Sequence, residues 1–225
     1  MRDITTLAVL LITASFAPSA FAVPELKLTS GLVTIDLLDA SSKDSCKVAD
    51  CVTYNGAVGS WQVDVTTGLE GVLPYFELNS LNAIRSGGQK APLTISFSDD
   101  GLKLPASFVF DVGGTLSSTS TKQVITLQAW TDKVKFGHAN EIGSPLTFHT
   151  SPFAGSTKGP TGTKNTAVTI GAFIDLGQLN AKGAMGFGAQ LDDPDPAVPE
   201  PASISMLGGA LLLMGTALRR RMNWN

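Results

Sequence analysis

Two histidines supply the ordinary general-base material of this 225-residue chain, and neither stands in a hydrolase setting. His138 lies in Phe136-Gly137-His138-Ala139-Asn140 and His149 in Phe148-His149-Thr150. A Ser, Thr or Cys nucleophile needs a base beside it. The sequence has no Gly-x-Ser-x-Gly, no His-Glu-x-x-His and no glycine-rich phosphate loop that opens a helix. Both histidines therefore read as loop or strand-edge residues. Carboxylates are plentiful, but a glycosidase needs two of them about 5–9.5 Å apart across a cleft, and that is a matter of three-dimensional placement. Asp192, Asp193 and Asp195, like Asp99 with Asp100, offer the hard oxygen atoms that calcium takes, yet the EF-hand pattern is missing. They read as solvated turn acids. No catalytic, cofactor-binding or metal-ligating residue is assigned.

Cys46 and Cys51 are the only cysteines. A zinc site would need two more soft ligands, and neither histidine is near in sequence. For an exported chain, as the termini below indicate, the pair is most simply a disulfide closing a small loop, which contributes roughly 2–3 kcal/mol. Aromatic platforms for sugar stacking would come from Trp61, Trp130, Tyr54 or Tyr75. Trp61 and Trp130 lie inside strand-like runs and read as core. The Ser/Thr cluster from Thr115 to Thr121 could carry glycans or hydrogen-bond a polysaccharide, but its composition reads first as a loop.

The elements that must position these groups are strands. Apolar and polar residues alternate in Trp61-Gln62-Val63-Asp64-Val65-Thr66 and in Leu93-Thr94-Ile95-Ser96-Phe97-Ser98. That period of two predicts that Trp61, Val63, Val65, Leu93, Ile95 and Phe97 point inward and their polar neighbours outward. Further strands are expected over 32–38, 75–79, 107–112, 123–130, 168–174 and 184–191. Asn55-Gly56, Gly87-Gly88, Asp99-Asp100-Gly101 and Gly113-Gly114 read as turns between them. The stretches 113–122 and 151–165, rich in Ser, Thr, Gly and Pro, read as loops. No helical period is sustained in the body. The expected fold is all-β, an antiparallel two-sheet β-sandwich, jelly-roll-like or Ig-like, with a separate C-terminal transmembrane helix.

The two ends carry addresses. Arg2, the apolar run 7–12 and Ala20-Phe21-Ala22 form a secretory signal, with small residues at Ala20 and Ala22 for cleavage after Ala22. At the other end Val198-Pro199-Glu200-Pro201-Ala202 precedes an uncharged apolar stretch over 204–218 and then Arg219-Arg220-Arg221. The prolines hold the chain extended, so a helix begins only after them. Fifteen residues span about 22 Å, short of a bilayer core of about 30 Å, and snorkelling flanks would cover the rest. The three arginines predict a cytoplasmic C-terminus, which leaves the body outside the cytoplasm. Domains are thus expected at 1–22 (signal), 23–191 (β-sandwich), 192–197 (acidic Pro-rich linker) and 198–225 (sorting tail).

This tail resembles the PEP-CTERM sorting signal, also called the ice-binding-protein C-terminal motif, a name that by itself implies no ice binding. The resemblance covers some 25 residues, from the Pro-Glu-Pro triplet through the apolar stretch to the arginines. It implies that an exosortase, a membrane Cys protease or transpeptidase, cuts at Pro199, Glu200 and Pro201 and discards the helix. It also implies a host that makes exopolysaccharide, biofilm or floc. Signal peptidase and exosortase would then be the processing partners and the inner membrane a transient one.

Without the signal and the tail arginines the body carries a net charge of about −6, which excludes the basic stripe that nucleic-acid binding requires. The expected function is that of a non-enzymatic surface or matrix protein, secreted to the exterior of a Gram-negative cell and associated with exopolysaccharide. The alternatives are a carbohydrate-binding or adhesive module, which predicts an exposed aromatic or a flat polar sheet face, and a secreted hydrolase with a concave catalytic cleft.

Overall fold

The computed structural model describes residues 23–69, 76–85, 91–118, 121–162, 164–177 and 182–194. The chain divides into two units, Met1–Pro194 and Asp195–Asn225, and every described residue belongs to the first. The signal residues Ala20 and Ala22, the motif at Val198–Pro201, the apolar stretch and Arg219–Arg221 lie outside the described residues. Among the described residues no helix is long and apolar enough to cross a membrane.

The described strands, in chain order, are β1 Glu25–Ser30, β2 Val33–Leu38, β3 Thr53–Val58, β4 Trp61–Leu69, β5 Phe76–Arg85, β6 Leu93–Asp99, β7 Ser107–Ser118, β8 Val124–Asp132, β9 Asn140–Glu141, β10 Leu146–Phe148, β11 Phe153–Pro160, β12 Ala167–Asp175 and β13 Gly183–Asp192. They form two antiparallel sheets, so the all-β sandwich expected from the alternation is what the chain makes. Sheet A runs β10-β8-β12-β6-β1-β2, with β9 on β8, and sheet B runs β11-β7-β13-β5-β4-β3. The last strand, β13, sits in the middle of sheet B between β7 and β5.

The inward residues of both sheets meet as one core. Trp61, Val63, Val65, Leu93, Ile95 and Phe97 are all buried. Phe76 of sheet B stacks on Phe97 of sheet A with ring centroids 4.5 Å apart, and this pair bridges the layers. Burying each large apolar side chain contributes about 1.5–3 kcal/mol. Trp61 also donates its indole N–H to the Ala91 carbonyl at 3.0 Å. Arg85 closes β5 inside the core, its guanidinium 6.0 Å from the Trp61 ring centroid.

Several expectations are corrected. The stretch 113–118 is strand and not loop, because β7 continues through it with β13 as a partner on one side and β11 beside its Gly113 and Gly114 on the other. The expected loop at 151–165 contains β11, an edge strand paired with β7. Its glycines serve close packing: a methyl at Gly159 would collide with the backbone of Ile142 and Gly143. Asn55-Gly56 is no turn but mid-strand in β3, where the Tyr54 hydroxyl would lie 2.7 Å from any Cβ at Gly56. The hairpin turns instead at Gly59, whose φ of 59° suits glycine.

Trp130 departs from the core reading as well. Leu127, Ala129 and Thr131 take the inward phase of β8, so Trp130 faces outward, half-buried, and stacks on His138 at 4.2 Å between centroids. Ser98 faces outward as expected yet is fully buried, because the segment 133–139 folds over it and the Phe136 N–H donates to its hydroxyl at 3.0 Å.

Candidate functional site

A disulfide joins Cys46 to Cys51, Cα atoms 5.9 Å apart, as the spacing predicted. Its loop is held by aspartates. The Asp44 carboxylate accepts from the N–H groups of Cys46 and Thr53, each at 2.9 Å, and Asp39 accepts from that of Asp50 at 2.9 Å. The loop packs beside the outer face of sheet B and walls a cavity of about 270 Å³ there, lined by Val48, Asp50, Cys51, Gly68, Glu77 and Asn79 among others.

Asn79 also lines two larger cavities on the same face. One, of about 530 Å³, includes Thr66, Ser80, Thr115 and Gly186, and the other, of about 650 Å³, includes Asp111, Gly113, Ser156, Gly188 and Gln190. The shared residue makes the three a single groove. Its floor follows from register: Ala154, Gly113, Gly188, Asn79, Thr66 and Thr53 pair across all six strands in one row. The next row is Ser156, Asp111, Gln190, Glu77 and Gly68. Small residues fill half of these outward positions, so the sheet is bare where other sheets carry side chains.

Polar groups line what the glycines leave open. The Asn79 amide donates to Glu77 at 3.2 Å, and the Gln190 amide donates to Asp192 at 2.8 Å. Each amide keeps a second N–H beside its carbonyl oxygen, and Asp111 and Glu77 add carboxylates. The groove therefore offers both acceptors and amide donors, with acceptors in excess, as a ligand carrying O–H groups requires. Asp192 has its carboxyl raised above the usual range by burial and by the nearby Asp111 charge, against a lowering by the Gln190 hydrogen bond. Ser80, beside the irregularity where β5 pairs with β4 and β13, is 1% exposed and its hydroxyl has no hydrogen-bond partner.

The residues singled out from sequence scatter by comparison. His149 lies at an exposed edge with its Nδ1 3.1 Å from the Gln123 carbonyl, and His138 covers Trp130; neither lines the groove. Tyr54 packs against the core and donates to the Ala57 carbonyl at 3.0 Å. Tyr75 and Asp195 lie outside the described residues. Asp99 is not a solvated turn acid but fully buried; burial, aided by the Asp100 and Asp50 charges, outweighs the Asp100 N–H bond and Lys135 and pushes its carboxyl up to about 6. Among the described residues no group of three or more His, Cys, Asp or Glu is placed to hold a metal ion. Thr115 alone from the Ser/Thr cluster reaches the groove among the described residues. Sequence reasoning missed Asn79, Asp111 and Gln190. The available signal was glycine recurring at alternate positions in Gly186-Phe187-Gly188, a strand pattern with nothing on its outer face.

No family model matches the chain, and no curated protein matches it. Among solved structures it is similar to TmCBM61 in complex with β-1,4-galactotriose, at 14% identity and a TM-score of 0.30, covering 61% of this chain and 92% of that one. It is also similar to the family 11 carbohydrate-binding module from Clostridium thermocellum in complex with a β-1,3-1,4-mixed-linked tetrasaccharide, at 11% identity and a TM-score of 0.32, covering 74% and 95%. A third likeness is to the enzymatically active domain of bacteriophage CBA120 tailspike protein 4, at 8% identity and a TM-score of 0.29, covering 60% of this chain and 20% of that one. At such identities and scores these likenesses assign no function and no family.

Proposed function

We propose that this chain is an exported, non-enzymatic surface or matrix protein that binds a neutral polysaccharide in the groove of sheet B. The observation that carries the binding reading is the open groove itself, with Ala154, Gly113 and Gly188 at half of its floor row and a polar rim formed by Gln190, Asp111 and Glu77 beside Asn79. Sugar hydroxyls are the donors such a rim pairs with, and vicinal hydroxyls suit carboxylates and amides. A polyanion is disfavoured by the same carboxylates and by the acidic body.

Export and sorting rest on the sequence of the two ends. The signal ending in Ala20 and Ala22, the Val198–Pro201 motif and the Arg219–Arg221 stop support cleavage by signal peptidase, passage through the inner membrane with the body in the periplasm, and processing by an exosortase. The Cys46–Cys51 disulfide is consistent with that route.

Two experiments test the proposal. The purified full chain is applied to an array of neutral and anionic glycans; retention on neutral ones is expected, with no sugar released, and retention on none overturns the binding reading. Mass spectrometry of the protein from its own host, with and without the exosortase, is expected to show loss of the segment after Pro201 only when that enzyme is present. Retention of the segment in both strains overturns the sorting reading.

A further inference from the structure

A sheet ends in strands whose outer N–H and C=O groups can pair with another chain, and stable proteins blunt such edges. Among the described residues three of the four sheet ends are blunted. Beside β8 stand only β9 and β10, two and three residues long. β11 ends in Pro160, and the segment 142–144 lies along it, with the Ser144 N–H donating to the Thr157 hydroxyl at 3.3 Å. β3 carries Gly56 in mid-strand, and its Tyr54 hydroxyl takes up the Ala57 carbonyl at 3.0 Å.

The fourth end, β2, has none of these devices. It is six residues long without Pro, Gly or Lys, and among the described residues β1 is its only strand partner. Its single charge, Asp36, sits 3.5 Å from Lys27 of β1. Val33, Ile35 and Leu37 pair with Ser30, Leu28 and Leu26, which are all buried, so the three share the inward phase. Leu37 is buried as that phase requires, but Val33 is 42% exposed, Ile35 is only partly buried, and Leu32 just before the strand is wholly exposed. The apolar side of β2 thus runs out past the cover that sheet B provides. What fits such an edge is a strand that continues the same sheet with the same phase.

We propose that β2 is where two copies of this chain join, antiparallel about a two-fold axis at Thr34, so that sheet A runs on from one copy into the other. The residues of β2 select that register. Directly opposed residues share a face, so an inward residue must meet an inward one. An axis at Thr34 sets Val33 against Ile35 of the second copy, twice over, and covers the apolar atoms that each copy leaves exposed. Thr34 then meets Thr34 of the second copy, a favourable cross-strand pair that extends the Thr29–Thr34 contact through the seam. An axis at Ile35 would need Leu37, which is already buried in its own copy, and one at Asp36 would oppose two like charges. The interface is small, so the pair forms and separates with concentration. The outer faces of both sheets B then look the same way. That turns the polysaccharide reading, on which the pairing does not depend, into one of two-point attachment.

The test follows the full chain, held in detergent, by light scattering over a dilution series, and then its Thr34→Cys and Asp36→Cys variants under mild oxidation. The parent is expected to pass from dimer to monomer on dilution. Val33→Lys, which sets a lysine on the edge, is expected to weaken that equilibrium at least tenfold with thermal unfolding unchanged. Opposed residues of an antiparallel pair have Cα atoms about 4.5–5.5 Å apart, within reach of a disulfide. Thr34→Cys is therefore expected to give a covalent dimer, and Asp36→Cys, set away from the axis, at least tenfold less of it. This comparison stands even if Val33→Lys fails to fold. A parent that is monomeric at every concentration up to its solubility overturns the pairing. So does equal linking at positions 34 and 36, or a dimer that folded Val33→Lys leaves intact.

Discussion

The outer faces of the two sheets are built on the same plan and come out differently. On sheet A the central cross-strand row is Thr147, Thr126, Phe173, Thr94, Thr29 and Thr34, a side chain at every strand. The equivalent row on sheet B has Ala154, Gly113 and Gly188 at half its positions. Sheet A does carry an outward glycine, Gly171, but a methyl there would come within 2.9 Å of the Trp130 ring, which already occupies the space. The segment 133–139 then covers part of the face, with Lys135 3.7 Å from Glu25 and Lys27 4.4 Å over the Phe136 ring. Gly171 makes room for the protein's own side chain, and Gly113 and Gly68 make room for nothing the protein supplies. The lesson is that what fills the space over a glycine, and not the glycine itself, separates a packing position from an open one.

The widest break in this comparison removes the pair that holds both faces in place. Phe97→Ala takes away the ring stacked on Phe76 and leaves a cavity between the layers, an expected loss of about 3–5 kcal/mol in urea unfolding. Glycan binding should fail together with stability; a loss under about 1 kcal/mol would mean the sheets are joined by other contacts.

Next come the aspartates that close one strand in each sheet, Asp99 at the end of β6 and Asp192 at the end of β13. The folded Asp99 carboxyl titrates near 6, above its ordinary value near 3.8, so the folded state prefers it protonated. Its stabilising contribution is complete below about pH 4 and is lost as pH rises through about 6, a change of about 2–3 kcal/mol. Asp99→Asn should flatten that slope between pH 4 and pH 7.5, and an unchanged slope would contradict the assignment. Asp192 is shifted in the same direction, so Asp192→Asn should also lower the slope, by a smaller amount because its side chain is less buried.

Replacing Cys46 and Cys51 together by Ser should cost about 2 kcal/mol, since the loop they close is short. Here the two faces should separate: groove affinity falls as its wall loosens, while the Trp130–His138 stack on sheet A is unaffected. Equal affinity in the reduced and oxidised forms would remove the loop from the site. The smallest effect is expected for Phe173→Thr, which completes the threonine row. Phe173 is 41% exposed, so stability should stay within about 0.5 kcal/mol and groove affinity should not change. A loss of glycan binding in this variant would move the site to sheet A.

The sandwich was legible because alternation is a local property. Trp61, Val63 and Val65 share a phase that can be read without knowing what they pack against, and the disulfide needed only two cysteines at a short separation. Trp130 was misread because a bulky aromatic can satisfy either phase of a strand when a neighbouring segment, here 133–139, covers it. The groove was illegible for a different reason. Asp111, Asn79 and Gln190 come from strands far apart in sequence, and only register places them side by side. Gly113-Gly114 also carries a turn signature, and pairing to β13 overrides it.

The central place of β13 has a consequence for how the molecule comes into being. A chain is made from its first residue onward, so β7 and β5 are complete before the strand that must lie between them appears. Until residues 183–192 arrive, the sheet that bears the groove has two open seams and no midline. Such seams stick to other chains as readily as to their proper partner. The molecule therefore acquires the outer face of sheet B at a single late moment, and a copy interrupted before residue 183 lacks the middle of that face.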